Sequence, residues 1–243
     1  MLFAIESGAA PLKVILDPGH GGKDEGAHAA DSKESHITLS VTEMLYERLK
    51  EDGRFVAYMT RRNDEFLDLG ERVRRAEQAK GDLLLSIHAN WSTDPKARGV
   101  EIYFQNQLPP DEESMYLAAR ENEGHARGLL EAETAVPSEV QLIIRDLARN
   151  QRVYASSRLA KSLELAWRGG HKAKSKSIRQ APFFVISNLT IPSALIEIGY
   201  LSHPEERLRL VTAEYQQLVA QSLHEGLIRY HESLDKPQAP RLQ

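Results

Sequence analysis

No cysteine stands anywhere in the 243 residues, which excludes disulfides, thiolate metal ligands and cysteine nucleophiles together. Any metal must be held by His, Asp or Glu. An excess of charge of one sign is missing too. The 31 basic residues face 35 acidic ones, a formal net charge of −4, so the chain lacks the basic surface of a nucleic-acid binder and no nucleic acid is expected as a partner. No apolar run reaches the roughly 18 residues of a membrane span, so none is expected. Met1 to Ala10 lacks the charged start and long apolar stretch of an export signal; if the protein is exported, its signal sequence is expected to be absent from this chain. Repeats and low-complexity tracts are also missing. What is present, 41% hydrophobic and 27% charged residues, suffices for one domain with a substantial core.

Lys13 to Asp17 (KVILD) is a short apolar run ended by Pro-Gly-His-Gly-Gly at 18–22, the pattern of a buried strand entering a loop. Ile37, Val41, Met44, Leu45 and Leu49 then recur at helical spacing and predict a helix over 34–51. Phe55 to Thr60 reads as a second strand, Leu69, Val73, Ala76 and Ala79 as a second helix, and Asp82 to Ile87 (DLLLSI) as a third strand. This alternation is the signature of an α/β fold: a single domain over 11–233, built on a mostly parallel twisted sheet of about six strands with helices on both faces. Gly99 to Phe104 adds a strand, Ser138 to Trp167 a long helix stopped by Gly169 and Gly170, Pro182 to Ile186 and Ser193 to Tyr200 two more strands, and Thr212 to His231 a closing helix. The ends, 1–10 and 237–243, are expected to be flexible. The basic stretch His171 to Arg179 reads as a solvated connection or as an edge that meets an anionic polymer.

Residues 108–137 interrupt the alternation with an acidic insert. Met115, Ala118, Ala119, Asn122, Ala126, Leu129 and Leu130 form a weak apolar stripe there, so an inserted helix over about 112–130 is expected despite Gly124 and Gly128.

Three polar residues stand at the carboxyl ends of predicted strands, where a parallel sheet places its site. His20 follows KVILDPG, His88 closes DLLLSIH, and Glu197 lies inside the otherwise apolar SALIEIGY. A carboxylate in a central apolar strand is costly to desolvate unless a metal, a hydrogen bond or a functional cavity receives it. A catalytic zinc ion takes three protein ligands and keeps a fourth position open. His20 and His88 supply two, and Glu34, at the mouth of the first helix, can return to the same end of the sheet. Taken alone, Glu34 reads equally as part of a helix-capping box with Asp31. Neither Ser86 nor Ser193 sits in a Gly-x-Ser-x-Gly elbow, and the glycines of 18–22 form no nucleotide-binding fingerprint.

Taken in order, DPGHGGKDEGA at 17–27, Lys33-Glu34, TRRND at 60–64, ERV at 71–73, SIHAN at 86–90, GVEIYF at 99–104, APFFVI at 181–186 and IEIGYLSHPEE at 196–206 resemble the zinc-dependent N-acetylmuramoyl-L-alanine amidases over nearly the whole chain. The chain departs from that pattern at Glu34-Ser35, where the family shows Glu-Lys, and at Ala27 to Ser32, where it shows glycines. The resemblance implies an amidase catalytic domain with one Zn2+ per chain held by His20, Glu34 and His88. It implies Glu197 as the catalytic carboxylate, and hydrolysis of the amide between N-acetylmuramic acid and L-alanine in peptidoglycan, for cell-wall remodelling or daughter-cell separation. The implied location is periplasmic or extracellular. MYLAARENE at 115–123 resembles the segment that covers the zinc site in cell-division amidases until an activator, of the LytM type, displaces it. In that case Glu121 is the candidate autoinhibitory zinc ligand, with Glu123 and His125 as runners-up; a plain surface helix is the other reading. Two further functions stay open at this point: a zinc peptidase acting on free or cell-wall peptides, and a non-catalytic peptidoglycan-binding module.

Overall fold

A computed structural model describes residues 10–29, 32–105, 110–123, 139–169 and 177–234. Strand β1 (Leu12–Pro18) is buried throughout from Val14, as an apolar strand covered on both faces must be. A small antiparallel ribbon follows, β2 (His28–Ala29) with β3 (Ser32–Lys33), which the sequence pattern does not announce. It leads straight into α1 (Glu34–Glu51), then β4 (Phe55–Met59), α2 (Leu69–Gln78), β5 (Leu83–Asn90) and β6 (Glu101–Phe104). The insert supplies α3 (Glu112–Glu121), capped by the Asp111 side chain accepting from the Ser114 N–H. The remainder is α4 (Glu139–Ala166), β7 (Ile178–Gln180), α5 (Phe184–Ser187), β8 (Ser193–Tyr200), α6 (Pro204–Leu210) and α7 (Ala213–Leu234). The expected flexible ends, apart from Ala10, lie outside the described residues. So do Asp31, His125 and residues 124–130 of the expected insert helix, which ends at Glu121 rather than running on through 123.

Six strands form one sheet in the order β4-β1-β5-β8-β6-β7. The first four are mutually parallel, β6 runs antiparallel to β8, and β7 follows β6. The mostly parallel α/β architecture is thus the one the sequence pattern predicts. Successive side chains on a strand point to opposite faces. Leu16, Leu85 and Ile196 therefore pack toward α1, α4 and α7, while Ile15, Leu84, Leu195 and Tyr103 pack toward α2, α3 and the turn around α5. Asp17, Ser86, His88 and Glu197, two or more steps farther along, fall on the second face at the carboxyl end.

Three expectations change. Pro182 to Ile186 is not a strand: Phe184–Ser187 forms the short helix α5, burying Val185 and Ile186, because a brief apolar run fits either kind of element and its neighbours decide. The sheet edge is instead β7, which takes in the end of the basic stretch: Arg179 is 10% exposed and pairs with Glu101 at 3.0 Å, while His171 to Lys176 lie outside the described residues. The long helix, too, is not covered along its whole length. Leu159 and Leu163 are buried, but Ile143, Ile144, Leu147 and Tyr154 are exposed. At 28 residues α4 runs roughly 42 Å, against roughly 27 Å for an eight-residue strand, so it outreaches the sheet that would cover it.

Candidate metal centre

The loop leaving β1 carries His20 in the left-handed region, φ 58°, a conformation that costs a non-glycine residue about 1–3 kcal/mol. Two buried arginines hold it there. Arg61 donates to the carbonyls of Pro18 (3.0 Å) and Gly19 (2.7 Å). Arg72 donates to those of Pro18 (2.7 Å) and His20 (2.7 Å) while also binding Asp17 at 2.9 Å. Three consecutive carbonyls are thereby gathered under the loop and the backbone is fixed from below. Burial alone would raise the Asp17 carboxyl, but Arg72 and the Thr60 hydroxyl outweigh it and hold the pKa below the usual value. Two glycines are required by space. A Cβ on Gly19 would lie 2.5 Å from the His88 ring, and one on Gly26, itself at φ 67°, 2.6 Å from both Glu34 and His20.

On this frame the side chains converge. Glu34 Oε1 lies 3.2 Å from His20 Nε2 and 3.1 Å from His88 Nδ1. It also accepts from the Ala89 N–H at 2.9 Å, and its other oxygen accepts from the Ala27 N–H at 2.8 Å. From the opposite side Glu121, the last residue of α3, brings Oε2 to 3.2 Å from His20 Nε2 and 3.5 Å from His88 Nδ1. Arg120 pins that carboxylate through Glu121 Oε1 at 2.9 Å and donates to the Trp91 carbonyl at 3.2 Å. The far nitrogen of His20, Nδ1, meets Asp24 Oδ2 at 3.0 Å, a contact that fixes the orientation of the ring. Glu197 faces His88 across the β5–β8 ladder and Glu101 across β8–β6. It is 1% exposed, and neither of its oxygens makes a hydrogen bond among the described residues.

The charges of this cluster act strongly on one another. Burial would lower the His20 pKa, yet Glu34, Asp24 and Glu121 raise it well above normal. Burial would raise Glu34, yet His20 and His88 hold it far below. Glu197 is pushed well up, first by burial and then by the charges of Glu34 and Glu121.

The structure therefore brings His20, Glu34, His88, Glu197 and Glu121 to one place. Ligand atoms of His20, His88 and Glu121 lie within 4.8 Å of one another. Glu34, expected as the third ligand, touches both histidines, so the geometry offers two carboxylates where the sequence reading named one with Glu121 in reserve. Glu123 is exposed at the end of the insert helix. Asp24, Arg61 and Arg72 escaped the sequence reading, although Asp24 lies four residues after His20 and Arg72 belongs to the ERV segment. Beside the cluster a cavity of about 370 Å³ opens between Leu67, Phe183, Phe184, Val185 and Asn122.

This arrangement, at the carboxyl edge of a mostly parallel sheet, is that of a hydrolase with a metal centre. The family model for N-acetylmuramoyl-L-alanine amidase matches residues 14–229, and the chain belongs to that family. It is 33% identical over 228 residues to the amidase AmiA of Escherichia coli K12, covering 93% of this chain and 78% of the relative. Among solved structures, the catalytic domain of the amidase CwlV from Bacillus (Paenibacillus) polymyxa superimposes with a TM-score of 0.67 at 27% identity, over 92% of this chain and 98% of that one. The amidase AmiC2 of Nostoc punctiforme gives 0.66 at 26%, over 93% and 99%. The chain is an N-acetylmuramoyl-L-alanine amidase, and peptidoglycan is its substrate.

Proposed function

We propose that the amidase is a zinc enzyme in which His20, Glu34 and His88 hold the metal, Glu197 moves the proton and Glu121 blocks the centre. One observation carries this reading: His20 Nε2 and His88 Nδ1 converge on one carboxylate oxygen of Glu34, at 3.2 and 3.1 Å, beside a Glu197 whose oxygens are unpartnered. A buried polar atom without a partner is expensive. Both Glu197 oxygens are such atoms. Two imidazoles and a carboxylate, with no thiolate in the chain, match the donor set of a catalytic zinc site. When bound, zinc supplies Lewis acidity at the amide carbonyl and brings the pKa of water toward about 7. Glu197 takes the proton of the attacking water and delivers it to the departing L-alanine nitrogen. Asp24 fixes the His20 ring, and the Arg61–Arg72 pair fixes the loop that carries it.

In this reading 11–233 is the catalytic domain, 108–137 its autoinhibitory insert, and the insert leaves the site when a LytM-type activator binds. The enzyme works where its substrate lies, in the periplasm or outside the cell, in wall remodelling or the separation of daughter cells. A peptidase would need no muramoyl amide, and a binding module would need no Glu197. Purified peptidoglycan should be digested with zinc-loaded protein, intact and as Glu121→Ala, and the products weighed by mass spectrometry. Free stem peptides and peptide-free glycan are expected, faster from the variant. Only shortened peptides would replace the amidase reading by the peptidase one, and equal rates from the intact chain and folded Glu121→Ala would remove the block.

A further inference from the structure

Next to Glu121, on the same turn of the insert, Asn122 does something the blocking of a metal does not require. Its side-chain amide donates from Nδ2 to the Pro182 carbonyl at 3.0 Å and accepts at Oδ1 from the Phe184 N–H at 2.9 Å. The two backbone groups flank Phe183, whose ring is buried against Tyr103 with centroids 5.0 Å apart, so the segment is anchored from behind and half-exposed in front. A carbonyl at one position and an N–H two positions later are the groups with which a strand receives the N–H and C=O of a single residue in a parallel partner. The segment also lines the 370 Å³ cavity that holds His20 and His88. A primary amide presents a donor and an acceptor side by side, as the N–H and C=O of one extended residue do. The geometry points to Pro182 and Phe184 as the backbone clamp for the stem peptide of the substrate, with Asn122 a peptide mimic that fills the clamp while Glu121 covers the metal centre.

The docked residue is the second of the stem. The nitrogen of the first, L-alanine, belongs to the scissile bond and must lie at Glu197, so the next residue is the first with both an N–H and a C=O to offer. This inference rests on reading the insert as a displaceable cover. It adds that the cover imitates the substrate at two points, and that the enzyme reads peptide backbone beside the metal.

The test uses the zinc-loaded 243-residue protein labelled with ¹⁵N-phenylalanine and ¹⁵N-asparagine. It is titrated with the dipeptide amide L-Ala-D-Glu-NH2, with its analogue N-methylated at the glutamyl nitrogen, and with N-acetylmuramic acid. At saturation the dipeptide should shift the Phe184 amide resonance and release the Asn122 side-chain NH2 from its hydrogen-bonded position. In Asn122→Ala it should bind about tenfold tighter, the order carried by two competing hydrogen bonds. The N-methyl analogue should lose that gain. Saturable dipeptide binding that leaves both Phe184 and the Asn122 NH2 unmoved would overturn the clamp in the wild-type chain, whatever the variant's folding. Equal binding of the two dipeptides would overturn it as well. The same displacement by N-acetylmuramic acid would reassign the edge to the sugar's acetamido group. Peptidoglycan digestion by the same preparations separates the claims: stem peptides released without any Phe184 response sink the clamp and leave the amidase reading intact.

Discussion

The two faces of the sheet are built from the same strands and carry opposite loads. Toward α1, α4 and α7, the alternate residues Leu16, Leu85, Ile87, Ile196 and Ile198 close on Val41, Leu45, Leu163, Val219 and Leu223 in one apolar core. Toward α2 and α3, the intervening residues Asp17, Ser86, His88 and Glu197 replace that packing with carboxylates and imidazoles, all nearly buried. A strand with a period of two lets one face be optimised for packing while the other accepts the cost of a polar centre. Helix α1 spans the division along its own length, with Glu34 in the centre at one end and Leu45 in the core three turns on.

That contrast can be broken from either side. The largest effect is expected at Glu197→Gln, which keeps the shape and removes the proton carrier: turnover on peptidoglycan should fall about 10²- to 10⁴-fold with zinc content unchanged. Because an unpartnered buried carboxylate is lost, the melting temperature of the metal-free protein should rise, and calorimetry showing a drop would place a stabilising partner on Glu197. On the other face, Leu45→Ala should cost about 2–5 kcal/mol in urea unfolding, while the kcat/KM of the folded fraction stays at the wild-type value. A large loss of activity in folded protein would show that the two faces are not separable. Asp24→Asn is the mildest. Zinc affinity, read by competition with a chelator, should weaken about 10- to 100-fold as the orienting carboxylate is lost, with stability unaltered; unchanged affinity would leave Asp24 a surface partner of His20 and nothing more.

How much of this was legible in the sequence follows the same division. His20, His88 and Glu197 stood out because they lie just beyond, near the end of, or inside an apolar strand, where a polar residue needs a reason. Glu34 was ambiguous by itself, since an acid at a helix start also serves the helix. Asp24, Arg61, Arg72 and Asn122 gave no such signal: each sits among other polar residues in loop or helix, and its importance comes from the backbone carbonyls or ring nitrogen it meets in space. The APFFVI segment was misread for a complementary reason. A short apolar run satisfies strand and helix alike, and only its burial of Val185 and Ile186 beneath the site decides. The exposure of Ile143, Ile144 and Leu147 was equally invisible, because periodicity marks an apolar stripe without saying whether anything covers it.

If His20, Glu34 and His88 form one metal centre on which catalysis depends, metal and activity must be lost together. Elemental analysis and turnover should be measured together on protein stripped with a chelator and reloaded with zinc, for the intact chain and for His20→Ala and His88→Ala. One zinc per chain is expected in the intact protein, activity should return with the metal, and each variant should lose both. Full zinc occupancy with normal turnover in either variant would contradict the account.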